Sequence, residues 1–157
     1  MQKFTTCLWF DKNAEEAVNF YTSIFKDSKI ESVSRYSEAG PGEPGSVLTI
    51  VFHLNGQQFM ALNGGPEYTF TPAISFIVYC ETQAEVDYYW QKLTEGGQEV
   101  QCGWLTDRYG LSWQIVPTVL AELMSDPDGE KVRRVTEALL QMVKLDIAGL
   151  QRAYAGA

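Results

Sequence analysis

The chain has 157 residues, 45% of them apolar and 13% aromatic, a length and composition that bury a continuous core and exclude a disordered chain. Twenty acidic against twelve basic residues give a formal charge of -8, which repels phosphate backbones and anionic headgroups and argues against nucleic acid and membrane partners. Three cysteines set in apolar runs, and an N-terminus with one lysine and no long apolar stretch, predict reduced thiols, no secretory leader, no membrane span and a cytoplasmic protein.

In chain order, "FTTCLWF" (4–10) carries the β-branched and aromatic residues of a strand. A helix is predicted next, with Asn13 as N-cap, Glu15 and Glu16 in its positive first turn, and Ala14, Ala17, Val18, Tyr21, Ile24 and Phe25 at three-four spacing. "KIESVSRY" alternates as a strand, and the loop 36–46 is rich in Gly and Pro, the composition of a connector or a lid. "VLTIVFHL" and "QQFMALN" flank Asn55-Gly56, a strong hairpin signal. The order returns after Pro72: "AISFIVYC", a helix ended by Gly96 and Gly97, "QEVQC", and two strands within "CGWLTDRYGLSWQIVP". An offset of 69 lays Thr6 on Ser75, Phe20 on Tyr89 and Tyr21 on Trp90, which predicts two βαβββ modules in tandem. From Pro117 onward the pattern is helical. "TVLAELM" comes first, then a helix started by Asp126-Pro127 with a Val132, Val135, Leu139, Met142 stripe, then a short helix capped by Asp146. The expected organisation is a single α+β domain over 1–157, with module one 1–71, module two 72–117 and a helical tail 118–157.

Two such modules, with a W-x-hydrophobic ending after a D-x-x-G turn in "DRYGLSWQIV", resemble the glyoxalase/bleomycin-resistance (vicinal oxygen chelate) superfamily. "LWFDKNAEEAVNFYTSIF", "DRYGLSWQIVP" and the tail resemble its PhnB-like branch, often labelled 3-demethylubiquinone 3-methyltransferase. The resemblance implies eight strands in two curved sheets, a cavity on the inner face, and a homodimer. Metal-using members supply His, Glu or Gln from places that align here with Thr6, Ala61, Ser75 and Gln114. Alanine has no donor and neutral hydroxyls bind divalent metals poorly, so a metal-free cavity and no cofactor are expected.

Strand alternation, carried from those positions, puts Phe4, Leu8, Phe10, Leu48, Ile50, Phe52, Phe59, Ala61, Ile77 and Tyr79 on the cavity face, with Thr6, Asn63, Ser75, Tyr79 and Gln114 as its polar points. Trp104 and Arg108 flank Asp107 and could clamp an anionic group, or Arg108 could pair with an acid. The expected ligand set is therefore Thr6, Leu8, Phe52, Phe59, Asn63, Ser75, Tyr79, Trp104, Arg108 and Gln114, around a small, largely apolar or aromatic molecule. His53 is of the type that titrates near neutrality, but it pairs with Gln58 on the face opposite Ala61 unless a bulge shifts the register. Cys7 and Cys80 have the parity expected to pack under the helices. A methyl-donor site of the Gly-rich strand-to-helix type is absent: "NGGP" precedes a proline and "EGGQ" ends a helix. Binding, metal-independent catalysis and a structural dimer with a filled core remain the three function classes.

Overall fold

The computed structural model describes residues 2–157. The chain divides into two compact units, one ending at Phe70 and one running Thr71–Ala157. Each contains a four-stranded mixed sheet, so the fold is α+β.

In the first unit the elements are β1 (Thr6–Phe10), α1 (Ala14–Ile24), β2 (Lys29–Arg35), β3 (Val47–Leu54) and β4 (Gln57–Asn63), with sheet order β1-β4-β3-β2. β1 and β4 are parallel, while β4, β3 and β2 are antiparallel. The β3–β4 hairpin closes as read: Leu54 opposes Gln57, and Asn55 (φ 51) and Gly56 (φ 79) take the two left-handed positions that a tight primed turn needs. α1 packs on β3 and β4. Its Ala17, Val18 and Tyr21 are fully buried, as are Ile50, Phe52 and Ala61 of the sheet. Full burial of both sets places Leu8, Phe10, Ile50, Phe52, Phe59 and Ala61 on the helix-covered face. The other face, with Cys7, Trp9, Thr49, Val51, His53, Gln58, Met60 and Leu62, is open.

In the second unit they are β5 (Ser75–Cys80), α2 (Gln83–Thr94), β6 (Gln98–Glu99), β7 (Trp104–Thr106) and β8 (Ser112–Pro117), with order β5-β8-β7-β6. Cys80, Leu105, Trp113 and Ile115 are buried with Val86, Trp90 and Leu93 of α2. Ile77, Gln114 and Trp104 share one row of the opposite face. "QEVQC" is shorter as a strand than expected, only Gln98–Glu99.

The turn between β7 and β8 explains its own motif. Asp107 is 3% exposed, and its carboxylate accepts from the Tyr109 and Leu111 backbone N–H groups and from Trp113 Nε1 (2.8, 3.1 and 2.9 Å). A buried carboxylate needs such donors. Gly110 (φ 88) supplies the left-handed corner.

The helical tail belongs to the second unit: α3 (Thr118–Met124), α4 (Gly129–Leu140) and α5 (Ile147–Ala155). α4 starts later than Asp126-Pro127 suggested, because Asp128 is the residue whose side chain accepts from Glu130 N; Asp126 instead accepts from Asp128 N and from the Tyr154 hydroxyl. Leu123, Val135 and Leu150 form a small core of the tail. Backbone bonds from Cys102 N to Met142 O and Gly103 N to Val143 O, both 2.8 Å, fasten the tail to the rest of the unit. Among the described residues no helix is long and apolar enough to cross a membrane.

Candidate functional site

The open face of the first sheet is shaped by two irregularities. Between Ile30 and Ser32 the β2–β3 register shifts, so Glu31 is an extra residue; between Ser34 and Arg35 it shifts again, and Leu48 is the extra residue on β3. Bulges of this kind re-aim side chains. Glu31 turns to His53, with Oε2 accepting from Nε2 at 2.6 Å, and to Gln58 Nε2 at 3.2 Å. Leu48 joins Trp9, Arg35, Tyr36, Leu62 and Gly64 around a cleft of about 360 Å³.

Local chemistry holds that cleft. Trp9 Nε1 donates to Gly65 O at 2.9 Å and the ring meets Tyr68 edge-on, with centroids 4.9 Å apart. Any Cβ at Gly64 would collide with the Trp9 ring, so glycine is required there. Tyr36 donates its hydroxyl to Asn63 O at 2.5 Å and stands between this cleft and a second one of about 420 Å³, lined by Asp11, Lys12, Glu15, Glu43 and Asn63 among others. The loop 36–46 is tied at its base by Tyr36 N to Ser46 O and Gly45 N to Tyr36 O, each 2.9 Å, and Arg35 Nη1 donates to Gly45 O. It is an ordered wall of both clefts.

The sequence-predicted ligand residues divide by unit. In the first, the expectation fails. Leu8, Phe52 and Phe59 are 5%, 0% and 7% exposed and fill the core on the α1 side; Thr6 shares their face through its register with Phe59. Phe10, Ile50 and Ala61, expected beside them in the cavity, are buried there too. Asn63 does lie at a cleft, but as a clasp: Oδ1 accepts from Ala14 N and Nδ2 donates to Val47 O. It caps α1 in place of Asn13, whose side chain makes no cap bond.

In the second unit Ser75, Tyr79, Trp104 and Gln114 stand on the face opposite α2. Gln114 Nε2 donates to Ser75 Oγ at 2.9 Å, Tyr79 is 63% exposed, and Arg108 is bound to Glu95 through its backbone O and its carboxylate. Cys80 is buried beneath α2 as expected, its thiol pushed up to about 12 by burial and by Glu85. Cys7 is exposed on the open face, contrary to its expected packing under α1, and partial desolvation raises its thiol.

Trp9, Tyr36, Leu62 and Gly64 were missed, and one count could have found Trp9 and, through its register, Leu62. Three residues, 11–13, join β1 to α1, whereas two, 81–82, join β5 to α2. The helix caps Asn13 and Thr82 are 69 apart, but the strand ends Phe10 and Cys80 are 70 apart. The offset of 69 is therefore right for the helices and one residue wrong for the strands, and a one-residue slip moves every strand side chain to the other face.

The superfamily's metal positions do not fit a metal here. Ala61 is buried without a donor, Thr6 lies on the helix-covered face, and Ser75 and Gln114 bond to each other. Among the described residues no group of three or more His, Cys, Asp or Glu side chains is placed to hold an ion. Neither glycine pair forms a methyl-donor cradle: Gly64 N and Gly65 N donate to Phe10 O and Asp11 O, and Gly96 and Gly97 follow the end of α2.

Residues 2–116 match the family model described as 3-demethylubiquinone-9 3-methyltransferase. A Bacillus cereus structure described as a 3-demethylubiquinone-9 3-methyltransferase, PhnB protein, is 46% identical, aligns over 74% of this chain and 100% of its own, and has a TM-score of 0.68. The PA1353 protein of Pseudomonas aeruginosa is 18% identical over 74% of this chain and 98% of its own (TM-score 0.62). The fosfomycin resistance protein FosX of Listeria monocytogenes is 14% identical over 78% and 97% (TM-score 0.54). The last two show the fold alone. No curated protein matches the chain.

Proposed function

Since the chain belongs to the 3-demethylubiquinone-9 3-methyltransferase family, the PhnB-like branch of the glyoxalase/bleomycin-resistance fold, we propose that it binds a small, largely apolar or aromatic molecule on the open face of its first sheet, without a metal. The observation that carries this reading is the cleft of about 360 Å³ between Trp9, Tyr36, Leu48 and Leu62. Flat, rigid aromatic walls gain contact with a ring at low entropic cost, and the size suits a small ligand. The donor set described above supports metal independence. Ser75, Tyr79, Trp104 and Gln114 offer a second, more open polar-aromatic surface on the other sheet. The homodimer implied by the family resemblance is part of the proposal: Phe4, Ile74, Ile77 and Tyr79 are 85%, 71%, 44% and 63% exposed in the single chain, a pattern suited to cover by a second copy.

Equilibrium dialysis of chelator-treated protein against para-methoxyazobenzene, a neutral two-ring compound, tests the reading. It predicts saturable one-to-one binding, weakened about tenfold by Trp9→Leu, which is about 1.4 kcal/mol. Absence of saturable binding, or binding that requires added zinc, nickel or iron, contradicts it. The family description favours a second reading, a metal-independent enzyme of methyltransferase type. Product formed by the metal-stripped protein would support that one, whereas binding without conversion supports sequestration.

A further inference from the structure

The open face of the first sheet does not end at the aromatic cleft. Its cross-strand register sets three rows: Trp9, Leu62, Thr49 and Ser34; then Cys7, Met60, Val51 and Ser32; then Gln58, His53 and Lys29. His53 is four residues from Thr49 along β3, so the last row lies about 13 Å from the first at the usual strand rise. The middle row is apolar apart from Ser32. A molecule two rings long, seated in the cleft and lying along the sheet, reaches the imidazole.

The imidazole is oriented from behind. An ionised carboxylate only accepts hydrogen bonds, so the 2.6 Å contact with Glu31 Oε2 fixes the proton of His53 on Nε2 and leaves Nδ1 as an acceptor. Among the described residues no hydrogen bond reaches Nδ1. Glu31 is itself held by Gln58 Nε2 at 3.2 Å, and Gln58 Oε1 accepts from Thr5 Oγ1 at 3.0 Å. The bulge that adds Glu31 to β2 aims its carboxylate at the ring. A base oriented by a third group is the arrangement used for proton transfer. Lys29 lies opposite His53 in register, and its charge acts on Glu31.

We propose that the His53–Glu31 pair is the proton-accepting end of this ligand face, and that its ligands are aromatic, two-ring-length molecules carrying a weakly acidic hydroxyl at the end away from Trp9. The inference rests on the binding reading above and names the ligand class. In the step, the ligand O–H bond breaks, the proton forms an N–H bond at Nδ1, and the electron pair stays on the ligand oxygen. The resulting imidazolium is held by Glu31 and is the counter-charge of the oxyanion at Nδ1. His53 touches the ligand; Glu31 is a positioning residue.

The test uses para-hydroxyazobenzene, whose ionisation shifts its visible absorption, beside the non-ionisable para-methoxyazobenzene. At a pH below the free dye's own ionisation, the wild-type protein is expected to raise the ionised fraction of bound dye about threefold over His53→Gln, the scale of one charge-assisted hydrogen bond weakened by solvent. Glu31→Gln falls between the two. The ionised fraction is counted per bound dye, at concentrations where each protein is saturated, so differences in affinity among the three proteins do not enter the comparison. The single histidine of the chain gives one imidazole resonance set. Nitrogen NMR should show the Nε2–H tautomer in wild type and mixed tautomers in Glu31→Gln, which a merely structural role for Glu31 would not produce. Equal ionised fractions in wild type and His53→Gln, with para-methoxyazobenzene still bound, overturn this proposal and leave the binding reading standing. No binding of para-methoxyazobenzene by wild type overturns the binding reading and this proposal with it.

Discussion

In the first unit three residues separate strand from helix; in the second there are two. The helices keep the same register, with Ala17, Tyr21 and Ile24 buried where Val86, Trp90 and Leu93 are buried 69 positions later. The extra residue is absorbed before α1, so β1 enters turned by one step relative to β5. At the strand offset of 70, Trp9, not Phe10, becomes the repeat counterpart of Tyr79, and each stands on the helix-free face of its own sheet. A repeat can thus keep its helix phase and lose its strand phase through a single insertion, because helices are read at a period of 3.6 and strands at a period of two.

Removing the insertion is the harshest way to break this comparison. Deleting Lys12 would shorten 11–13 to two residues and force either the β1 register or the Asn63 cap on α1 to give way. We expect a loss of at least about 3 kcal/mol, or no folded protein, by urea denaturation; a variant as stable as wild type would show that the connection does not set the faces. Phe52→Ala comes next. As a core residue under α1, it should cost about 3–5 kcal/mol by the same assay; a ligand-lining residue on an open face would cost far less.

The two helix starts sharpen the contrast at a smaller scale. Asn63→Ala removes the acceptor for Ala14 N and the donor to Val47 O, and should cost about 2 kcal/mol, against under about 0.5 for Asn13→Ala. In α2 the cap is local: the Thr82 side chain accepts from Glu85 N at 3.2 Å, and Thr82→Ala should cost about 1 kcal/mol. Equal effects of Asn13→Ala and Thr82→Ala on the denaturation midpoint would contradict the assignment of a remote cap to the first unit.

The smallest effect belongs to pH. The hydrogen bond from His53, then that from Gln58, lowers Glu31 from its ordinary 4.5. A depressed folded-state value stabilises above the unfolded value and is lost as pH falls through the folded one. Wild type should therefore lose slightly more stability than Glu31→Gln as pH drops below 4.5. Parallel acid curves for the two proteins would remove the pair from the folded-state energetics.

Much of the fold was legible because its signals are local. Asn55-Gly56 fixed the β3–β4 register, which then follows residue for residue, and the tail helices were marked by three-four spacing. The D-x-x-G turn was visible, though not the reason for its aspartate, since the burial of Asp107 against Trp113 Nε1 needs the folded hairpin. The site was half legible. The family resemblance for Ser75 and Gln114, and alternation for Tyr79, pointed to what is the face opposite α2; Trp104 was reached only through its place beside Asp107, and the first-unit set was carried to the wrong face because the repeat offset was taken as uniform. Two further features were beyond periodicity. Asn63 reaches back 49 residues in sequence to cap α1, and the bulges that re-aim Glu31 and Leu48 leave no pattern in residue type. The possibility that a bulge would change the role of His53 was visible; its place on β2, one strand away, was not.

The ligand face itself is tested most directly at Cys7, which sits in the middle row between the cleft and His53. In a Cys102→Ser background, dithionitrobenzoate should label the exposed Cys7 and leave buried Cys80 untouched until unfolding. Para-methoxyazobenzene at about ten times its dissociation constant should then slow Cys7 labelling about tenfold, because only the unoccupied protein reacts. An unchanged Cys7 rate with the compound bound would place the ligand elsewhere and contradict the account.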